Sequence, residues 1–488
     1  MDHHADVGFV RLVDFETTLS YDTAFVIGKK ALVMGLGESG LSMAQWLMRH
    51  GASVRVADSR AQPPGLDALR TELPQAEVRT GPFKEALLEG VDLLALSPGL
   101  SPQEPIVRAA RAAHIDVVGD VELFARALPK EGGPIVIGIT GTNGKTTVTA
   151  LTGAMCAVAG KDTVVAGNIS PAILTALMQC EDEGREPEVW VLELSSFQLE
   201  TTDSLKATAA TMLNLTEDHL DRHGAMAEYA EAKARIFHGA GAQVLNRDDA
   251  YSRGMQLPGL RVYSFGLGPA LSSEDYGLLS VKGEHWLAQG MTPLMPLSSM
   301  TLEGLHNAAN ALAALALVRA VGLSLAPCLD ALKHFKGLPH RVERAGEVDG
   351  VVYYDDSKGT NVGSTVAALA GFAKQFEATP HRVVLIVGGE GKGQNFEPLS
   401  VAVAQSARAV VLIGRDAELI EETLIGSGVP LYRAEDMQEA VRIAQLRAQQ
   451  GDAVLLSPAC ASFDMFRNYK HRGEVFCAAV KVLGHATH

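Results

Sequence analysis

The chain has 488 residues, of which 47% are hydrophobic and 20% are charged, so it can bury large cores and is too long for one ordinary domain. Its formal net charge of −15, with no basic run to offset it, would repel a phosphodiester backbone and argues against nucleic acid as a partner. Its 5 cysteines form no CxxC pair, which favours reduced thiols in a cytosolic protein over a disulfide framework or a zinc site.

The first residues, MDHHADVGFVRL, lack a cationic region followed by an apolar core, and no apolar run elsewhere reaches membrane-spanning length. We therefore expect a cytoplasmic chain without membrane insertion. Further along, one pattern repeats: a short run of Val, Ile and Leu, a glycine-rich or polar turn, and an Ala/Leu-rich helical stretch. This alternation predicts an α/β fold with parallel sheets built from βαβ units.

The N-terminal region predicts a Rossmann-like unit that ends in a linker at LPKEGG (128–133). Residues 30–60 read as strand, glycine turn, helix and strand. The turn GLGESG (35–40) fits G-x-G-x-x-G, and Asp58 ends the next strand about 20 residues on. Taken alone, this is a dinucleotide-binding fingerprint, so an NAD-linked oxidoreductase is one reading. The sequence offers no second site for a hydride acceptor.

The central region opens with the strand PIVIGIT and the turn GITGTNGKTT (138–147). The turn breaks the strict phosphate-loop spacing, because position 139 is Ile where that signature has Gly. A strand, a glycine-rich turn and a helix beginning near Lys145 nevertheless present backbone N–H groups to an anion. Lys145 would then reach the β- and γ-phosphates, and the Thr146 hydroxyl would bind Mg²⁺. The alternative is an ordinary turn with a solvated lysine.

The rest of the chain completes three predicted domains, over residues 1–130, 131–337 and 338–488. A helix is predicted at LHNAANALAALALVRAVG (305–322), and the Gly-, Ser- and Pro-rich stretch 266–303 is compatible with short antiparallel strands. The third domain is predicted to hold these strands: VVYYD (351–355), RVVLIVGG (382–389), AVVLIG (409–414) and AVLLS (453–457).

Several polar residues could carry chemistry, although each has a simpler reading. Glu193 ends the apolar strand VWVLEL, where a buried carboxylate needs a counter-ion, so it is either a metal ligand or half of a structural ion pair. His219 lies in a loop, where a lone histidine is usually solvated. From spacing alone, Lys233 is as well explained by a surface lysine as by a functional one. The alternative for Lys392 is a cation in a flexible loop. Asp356 with Lys358 could form an exposed ion pair, which contributes little.

A resemblance adds to these readings. The loop GxxGTNGKT resembles the ATP loop of the Mur ligases, cytoplasmic enzymes that add amino acids to the peptidoglycan precursor, and folylpolyglutamate synthetases are similar. It extends over all three regions and is closest to the D-glutamate-adding members. The matching segments are VLELSSFQLE (191–200), LNLTEDHLDRHG (213–224), HNAANALAA (306–314), GLPHRVE (337–343), DDSKGTNVGST (355–365), GGEGKG (388–393) and LSPACASFDMFRNYKHRG (456–473).

The resemblance implies a function and an architecture. It implies ATP-dependent addition of D-glutamate to UDP-N-acetylmuramoyl-L-alanine through an acyl phosphate, with two Mg²⁺ ions and a carbamylated lysine at Lys233. It also implies a Rossmann-like N-terminal domain, a central P-loop-type ATPase domain with a parallel sheet, a Rossmann-like C-terminal domain and a monomeric protein.

The resemblance assigns site residues in groups. For ATP, it implies Gly141, Thr142, Asn143, Gly144, Lys145, Thr146, Thr147, Asn307, Arg341 and Asp356. For Mg²⁺, it implies Thr146, Glu193, His219 and the Lys233 carbamate, and it adds Lys358 to Lys145, Glu193, His219 and Lys233 as reaction-centre residues. For the UDP-linked substrate, it implies Ser39, Asp58, Ser59, Arg60, Asn168 and His219. For D-glutamate, it implies Lys392, Ser462, Phe463 and Tyr469.

The sequence leaves alternatives for the amino-acid pocket and for the class of protein. Phe463 and Tyr469 stand where the family has Leu and Phe, which leaves the shape of the amino-acid pocket less defined than its charge. A Mur ligase for a different amino acid is the nearest alternative. The Asp-Asn-Pro-Arg motif of the meso-diaminopimelate-adding enzyme is absent, and DDSKGTNVGST and SPACASFD favour D-glutamate. A non-enzymatic nucleotide-binding module is a third class, besides the oxidoreductase.

Overall fold

The structure is a computed structural model that describes residues 21–302, 304–377 and 379–486. The expectation drawn from MDHHADVGFVRL, and the start of the predicted first domain, lie outside these residues. Within the described ranges, no helix is both long enough and apolar enough to cross a bilayer.

The N-terminal domain is a parallel sheet in the strand order β3-β2-β1-β4-β5, flanked by helices. Its elements are β1 (Lys30–Met34), α1 (Glu38–Arg49), β2 (Ser53–Asp58), α2 (Leu66–Glu72), β3 (Glu77–Thr80), β4 (Leu93–Leu96), α3 (Pro105–Ala112), β5 (Asp116–Val118) and α4 (Asp120–Ala127). Glycine is needed at one position of the turn before α1 and at one position in the first turn of α1. Gly35 has a φ of 86°, and a Cβ on Gly40 would lie 1.8 Å from the Gly35 carbonyl oxygen. The strand, turn, helix and strand predicted for residues 30–60 are confirmed.

The central domain has a larger sheet, in the order β14-β13-β12-β11-β10-β9-β6-β8-β7. Its elements are β6 (Ile135–Thr140), α5 (Lys145–Val158), β7 (Thr163–Gly167), α6 (Ile173–Glu183), β8 (Val189–Glu193), α7 (Ser196–Leu199), β9 (Ala209–Met212), α8 (Leu220–His223), α9 (Met226–Ala234), β10 (Ala242–Asn246), α10 (Ala250–Gly254), β11 (Arg261–Phe265), β12 (Asp275–Val281), β13 (Glu284–Gln289), β14 (Thr292–Pro296), α11 (Leu305–Ala320) and α12 (Leu325–His334). The pairs β12/β13 and β13/β14 are antiparallel, so the stretch 266–303 does carry short antiparallel strands.

The C-terminal domain has the sheet order β15-β16-β20-β17-β18-β19, with only β15/β16 antiparallel among the described pairs. Its elements are β15 (Glu343–Val348), β16 (Val351–Asp355), α13 (Val362–Gln375), β17 (Val383–Gly388), α14 (Glu397–Ser406), β18 (Ala407–Ile413), α15 (Ala417–Leu424), β19 (Leu431–Arg433), α16 (Met437–Arg447), β20 (Ala453–Leu456) and α17 (Tyr469–Ala486). The α/β fold in three domains is confirmed. The boundaries at 130 and 337 fall between α4 and β6 and between α12 and β15, and they stay predictions.

The N-terminal and central domains share one apolar core. A single buried cluster contains residues of both, and the Phe124 ring meets the Trp190 ring edge-on with centroids 4.9 Å apart. Polar contacts reinforce this junction, since Gln198 Nε2 donates to Asp120 Oδ2 over 3.0 Å. The buried apolar clusters of the C-terminal domain instead draw only on its own described residues. The first two domains therefore form a common base for the site.

Candidate active site

The glycine loop lies between β6 and α5, at the carboxyl edge of the central sheet. Gly141 and Gly144 have φ values of 150° and 84°, and a Cβ on Gly144 would lie 2.5 Å from Asn310 Oδ1. Lys145 begins α5 and folds back over the loop, where its Nζ donates to the Gly141 and Thr142 carbonyl oxygens at 2.8 Å each. Burial lowers the pKa of the Lys145 amine. The loop thus brings together a helix N-terminus and a lysine, two features that favour an anion.

Glu193 ends β8, the strand beside β6, and its side chain is buried. Its Oε1 accepts a hydrogen bond from Asn168 Nδ2 over 2.8 Å, whereas its buried Oε2 has no hydrogen-bond partner. A buried carboxylate oxygen without a donor is costly unless a cation meets it. Among the described residues Glu193 forms no ion pair, which disfavours the structural-pair reading and leaves an oxygen suited to a metal ion.

Lys233 is buried at the end of α9, with only 1% of its surface exposed, so the surface-lysine reading is wrong. Its Nζ donates to the Gly141 carbonyl oxygen over 2.9 Å and to Thr140 Oγ1 over 3.3 Å, and it lies 4.8 Å from the Tyr229 ring centroid. Burial, assisted by Lys145, lowers the pKa of this amine well below its usual value. In the described chain Lys233 forms no ion pair with a carboxylate. Its amine therefore contacts the glycine loop through neutral hydrogen-bond acceptors alone.

His219 caps α8 in a left-handed conformation, with a φ of 55°. Its ring packs edge-on against Phe197, with centroids 4.9 Å apart, and its Nε2 lies 3.6 Å from Asp218 Oδ2. Burial lowers the pKa of this imidazole to about 4. The ring is therefore neutral near pH 7, as a metal-ligating histidine must be.

One arginine of the C-terminal domain contacts the start of α5, next to the glycine loop. Arg341 Nη2 donates to Thr146 Oγ1 over 2.6 Å, and burial lowers the pKa of its guanidinium. Asp356 follows β16, and its Oδ2 accepts from Ser457 Oγ over 2.7 Å. Burial raises the pKa of this carboxyl to about 7.

The C-terminal domain also places two lysines at this site. Lys358 Nζ lies 3.9 Å from the Tyr469 ring centroid, and burial lowers its pKa to about 8. Lys392, in a left-handed conformation with a φ of 54°, pairs with Asp218 Oδ1 over 2.5 Å. Its side chain is only 12% exposed, so the flexible-cation reading does not describe it. Phe463 is 72% exposed.

Two residues that the sequence reading passed over join the central and C-terminal domains. Asn361 Nδ2 donates to Asn143 Oδ1 over 2.9 Å and to Asp218 Oδ2 over 3.3 Å. Asp218 therefore accepts from both Asn361 and Lys392. Both residues lie inside the quoted segments LNLTEDHLDRHG and DDSKGTNVGST, which is the signal that could have found them.

These groups line one cavity of about 710 Å³ between the central and C-terminal domains. The predicted residues in its lining are Thr142, Asn143, Gly144, Lys145, Thr146, Thr147, Asn168, Glu193, His219, Asn307, Arg341, Asp356, Lys358, Lys392, Ser462, Phe463 and Tyr469. Gly141 and Lys233 lie directly behind it, joined by their hydrogen bond.

The four predicted nucleotide contacts of the N-terminal domain do not line that cavity. They lie at the carboxyl edge of the first sheet, at the end of β2. Asp58 Oδ2 accepts from the Leu36 amide over 2.7 Å and from Arg60 Nη2 over 2.7 Å, so this carboxylate braces the glycine turn. The Arg60 side chain is 53% exposed. Ser39 and Ser59 are the other two residues predicted to contact the UDP part of the substrate. Glu38 reaches Ser170 of the central domain over 3.3 Å.

Comparisons with known proteins match all three domains. The Mur ligase MurD-like N-terminal domain matches residues 29–119, the Mur ligase middle domain matches 139–318, and the Mur ligase glutamate ligase domain matches 340–460. The chain is 56% identical to the UDP-N-acetylmuramoylalanine–D-glutamate ligase of Nitrosospira multiformis, over 93% of this chain and 95% of that one. It is 55% identical to the ligase of the same name from Thiobacillus denitrificans, over 95% and 98% of the two chains.

Solved structures of lower identity share the fold. UDP-N-acetylmuramate-alanine ligase MurC from Thermotoga maritima superposes with a TM-score of 0.60 at 20% identity, over 93% of this chain and 99% of that one. MurF from Acinetobacter baumannii superposes with a TM-score of 0.59 at 16% identity, over 95% and 92% of the two chains.

Proposed function

The chain belongs to the Mur ligase family, and on that premise we propose that it joins D-glutamate to UDP-N-acetylmuramoyl-L-alanine in an ATP-dependent reaction. One observation carries the proposal. A glycine loop, a buried glutamate, a half-buried histidine and cations from a second domain converge on one cavity in a chain that is 56% identical to a ligase of that name. The product would be a peptidoglycan precursor made in the cytoplasm for cell-wall growth and division.

The phosphate loop would hold ATP. Backbone N–H groups from Gly141 to Thr147 and the Lys145 amine would neutralise the phosphates, while Asn307, Arg341 and Asp356 contribute contacts from α11 and the C-terminal domain. Arg341 already reaches Thr146, which supports a site shared between two domains.

The residues present fit Mg²⁺. The unpartnered Oε2 of Glu193, the neutral imidazole of His219 and the hydroxyl of Thr146 offer ligand atoms, and Lys233 would add a carboxylate as its carbamate. Two bound ions would neutralise phosphate charge during transfer. Lys233 supports this reading because its buried amine lacks a carboxylate partner in the described chain, and carbamylation would replace that amine with an anion.

The reaction would proceed in two transfers. The alanyl carboxylate attacks the γ-phosphorus, which forms an acyl phosphate and releases ADP. The D-glutamate amine then attacks the acyl carbon, and the tetrahedral intermediate expels phosphate. Lys358, 3.9 Å from the Tyr469 ring centroid, would stabilise developing negative charge at this centre. The amide thus forms at the expense of one phosphoanhydride bond.

Substrate orientation would come from both ends of the cleft. Asn168, held by Glu193, would contact the sugar and alanyl part, and Arg60 with Ser39, Asp58 and Ser59 would hold the UDP part. Lys392 and Ser462 would bind the two carboxylates of D-glutamate, with Phe463 and Tyr469 as pocket walls, and leave its amine free. Lys392 would then leave the Asp218 carboxylate and pair with a carboxylate of the substrate.

Closure of the C-terminal domain would exclude the water that hydrolyses an acyl phosphate. Its separate apolar core and its polar contacts to the central domain support a domain that moves as a unit. Small-angle scattering should show a more compact monomer with ligands bound, and identical compactness in both states would contradict closure.

A phosphate-release assay tests the proposed function. Purified full-length enzyme receives UDP-N-acetylmuramoyl-L-alanine, ATP and Mg²⁺ with D-glutamate, L-glutamate, meso-diaminopimelate or no amino acid. Of the four reactions, we expect only the one that contains D-glutamate to give ADP, phosphate and a lengthened peptide. Turnover with another amino acid would favour a different ligase, and no turnover would refute the proposal. Tight NADH binding without UDP-sugar binding would favour the oxidoreductase.

A further inference from the structure

Arg472 is a buried arginine of the C-terminal domain. It lies in the first turn of α17 with 1% of its surface exposed. Its Nε donates to Ser357 Oγ over 3.0 Å and its Nη2 to the Ser357 carbonyl oxygen over 2.8 Å. Its Nη1 donates to the carbonyl oxygens of Cys460 and Ala461, over 3.1 and 3.3 Å.

These acceptors are all neutral. No carboxylate of the described chain lies within ion-pair distance of Arg472. Burial lowers the pKa of the guanidinium to about 10, so it remains protonated at neutral pH. Burying an unpaired charge is expensive, and an apolar side chain of similar size would avoid that cost. The charge and the fork-shaped donor pattern therefore call for an explanation beyond packing.

The positions of the acceptors supply one. Ser357 lies between Asp356 and Lys358, in the loop that follows β16. Cys460 and Ala461 immediately precede Ser462, in the loop that follows β20. Arg472 thus connects, by hydrogen bonds from outside the cavity lining, two neighbouring loops that carry proposed site residues.

A third loop, the one that follows β17, is hydrogen-bonded to Ala461 as well. Glu390 N donates to the Ala461 carbonyl oxygen over 3.0 Å, and Ala461 N donates to the Glu390 carbonyl oxygen over 2.9 Å. Glu390 stands two residues before Lys392, in the loop that follows β17. The Ala461 carbonyl oxygen therefore serves both Arg472 and this bridge. The loops that carry Lys358, Lys392 and Ser462 are therefore joined at the Ala461 peptide, two of them through Arg472.

We propose that Arg472 is a positioning residue for the amino-acid substrate: its fork sets the separation of Lys358 and Ser462, and its charge favours an amino acid with two carboxylates. The inference rests on the proposed ligase function. Because the guanidinium lies behind the loops, it acts through them and through its field. A rigid fork that reaches two loops at once is a property of arginine that lysine cannot reproduce.

Two variants separate the fork from the charge. Arg472→Lys keeps a cation but cannot reach both loops, whereas Arg472→Met removes the cation. The matched control is Arg408→Met, which removes a guanidinium at the opposite, amino end of the same sheet, where Arg408 bonds to Asp452 over 3.0 Å. Each full-length enzyme is assayed for the KM of D-glutamate, ATP and UDP-N-acetylmuramoyl-L-alanine, and for its melting temperature.

In Arg472→Lys we expect the KM of D-glutamate to rise about tenfold or more, the effect of losing one or two hydrogen bonds that hold the loops. The KM of the other two substrates should change by less than about twofold on the same reasoning. In Arg472→Met, the preference for D-glutamate over D-glutamine in kcat/KM should also fall about tenfold, since a charge that favours the second carboxylate is gone. Arg408→Met should show neither change.

The inference is overturned if all three KM values shift by one common factor in Arg472→Lys, or if the lysine variant matches wild type. Should Arg472→Met fail to fold, Arg472→Lys still tests the fork, and Arg472→Gln, which also removes the cation, tests the charge in its place; an unchanged preference for D-glutamate over D-glutamine would overturn the role of the charge. These results are distinct from failure of the proposed function, which would appear as a wild-type enzyme that does not consume D-glutamate.

Discussion

Replacing Lys233 by alanine should abolish activity, and a small carboxylate should partly restore it. Lys233 Nζ points at the Gly141 carbonyl oxygen, 2.9 Å away, directly behind the phosphate loop. If its carbamate is a Mg²⁺ ligand, the alanine variant loses a negative oxygen donor at the place where phosphoryl transfer needs its cations held. Acetate is small enough to occupy the vacated volume and supply such an oxygen.

The size of the effect follows from the contacts. The variant loses two Nζ hydrogen bonds worth about 1 kcal/mol each. It also leaves a cavity, for which large-to-small changes cost about 2–5 kcal/mol. Removing a desolvated amine offsets part of this loss, so we expect the free energy of unfolding to fall by about 3 kcal/mol and the fold to survive. Losing one preorganised electrostatic group costs about 10²–10³ in rate, and we expect at least that loss of kcat.

Phosphate release is measured with and without acetate, beside two matched variants. Lys233→Arg keeps a cation but cannot be carbamylated, so it should be inactive and insensitive to acetate. Lys161→Ala removes a partly exposed lysine that pairs with Glu188 over 2.7 Å, and it should behave as wild type. Incubation with ¹³C-bicarbonate should give a carbamate NMR signal that is absent from Lys233→Arg. Full activity of Lys233→Ala without additive would refute the reasoning.

Three further changes test the other groups by initial-rate phosphate release. Arg341→Lys should raise the KM of ATP about tenfold, because a lysine cannot reproduce the planar fork that reaches Thr146, and an unchanged KM would remove Arg341 from the ATP site. Lys392→Met should raise the KM of D-glutamate at least about tenfold with the KM of ATP within about twofold, while equal rises in both would argue for a purely structural ion pair with Asp218. Arg60→Ala should raise the KM of the UDP-linked substrate about tenfold, and a rise in the KM of ATP instead would contradict the assignment.

The fold could be predicted from local patterns because its strands and helices are marked by short runs of residues. Apolar runs such as VVLIVG at 383–388 become strands buried on both faces, as a parallel sheet requires. The helix predicted at 305–322 spans Leu305–Ala320, and its middle section from Ala311 to Val318, which is apolar on every side, is buried. The order of the strands could not be predicted, because it depends on pairings between distant segments.

The burial of individual side chains was harder to predict. Lys233 lies in EYAEAKA, whose pattern is that of a solvated face, and it is buried only because α9 packs behind the phosphate loop. Asn361 and Asp218 meet although 143 residues separate them, and Asn361 also reaches Asn143. Such contacts exist only once the C-terminal domain has docked. A sequence pattern can mark such residues as polar, but it cannot say which of them will face one another.

The overall charge and the charge of the site point in different directions. The chain carries a formal charge of −15, which disfavours nucleic acid, yet its main cavity collects Lys145, Arg341, Lys358 and Lys392. Within the described residues, only Lys392 among these four lies at ion-pair distance from a carboxylate. Lys145 contacts carbonyl oxygens, Arg341 a hydroxyl and Lys358 an aromatic ring. Because these four cations outnumber the three carboxylates of the same lining, Glu193, Asp218 and Asp356, we expect the cavity to attract compact polyanions. A triphosphate and a dicarboxylic amino acid satisfy that requirement, and a long phosphodiester, which the net charge of the chain would repel, does not.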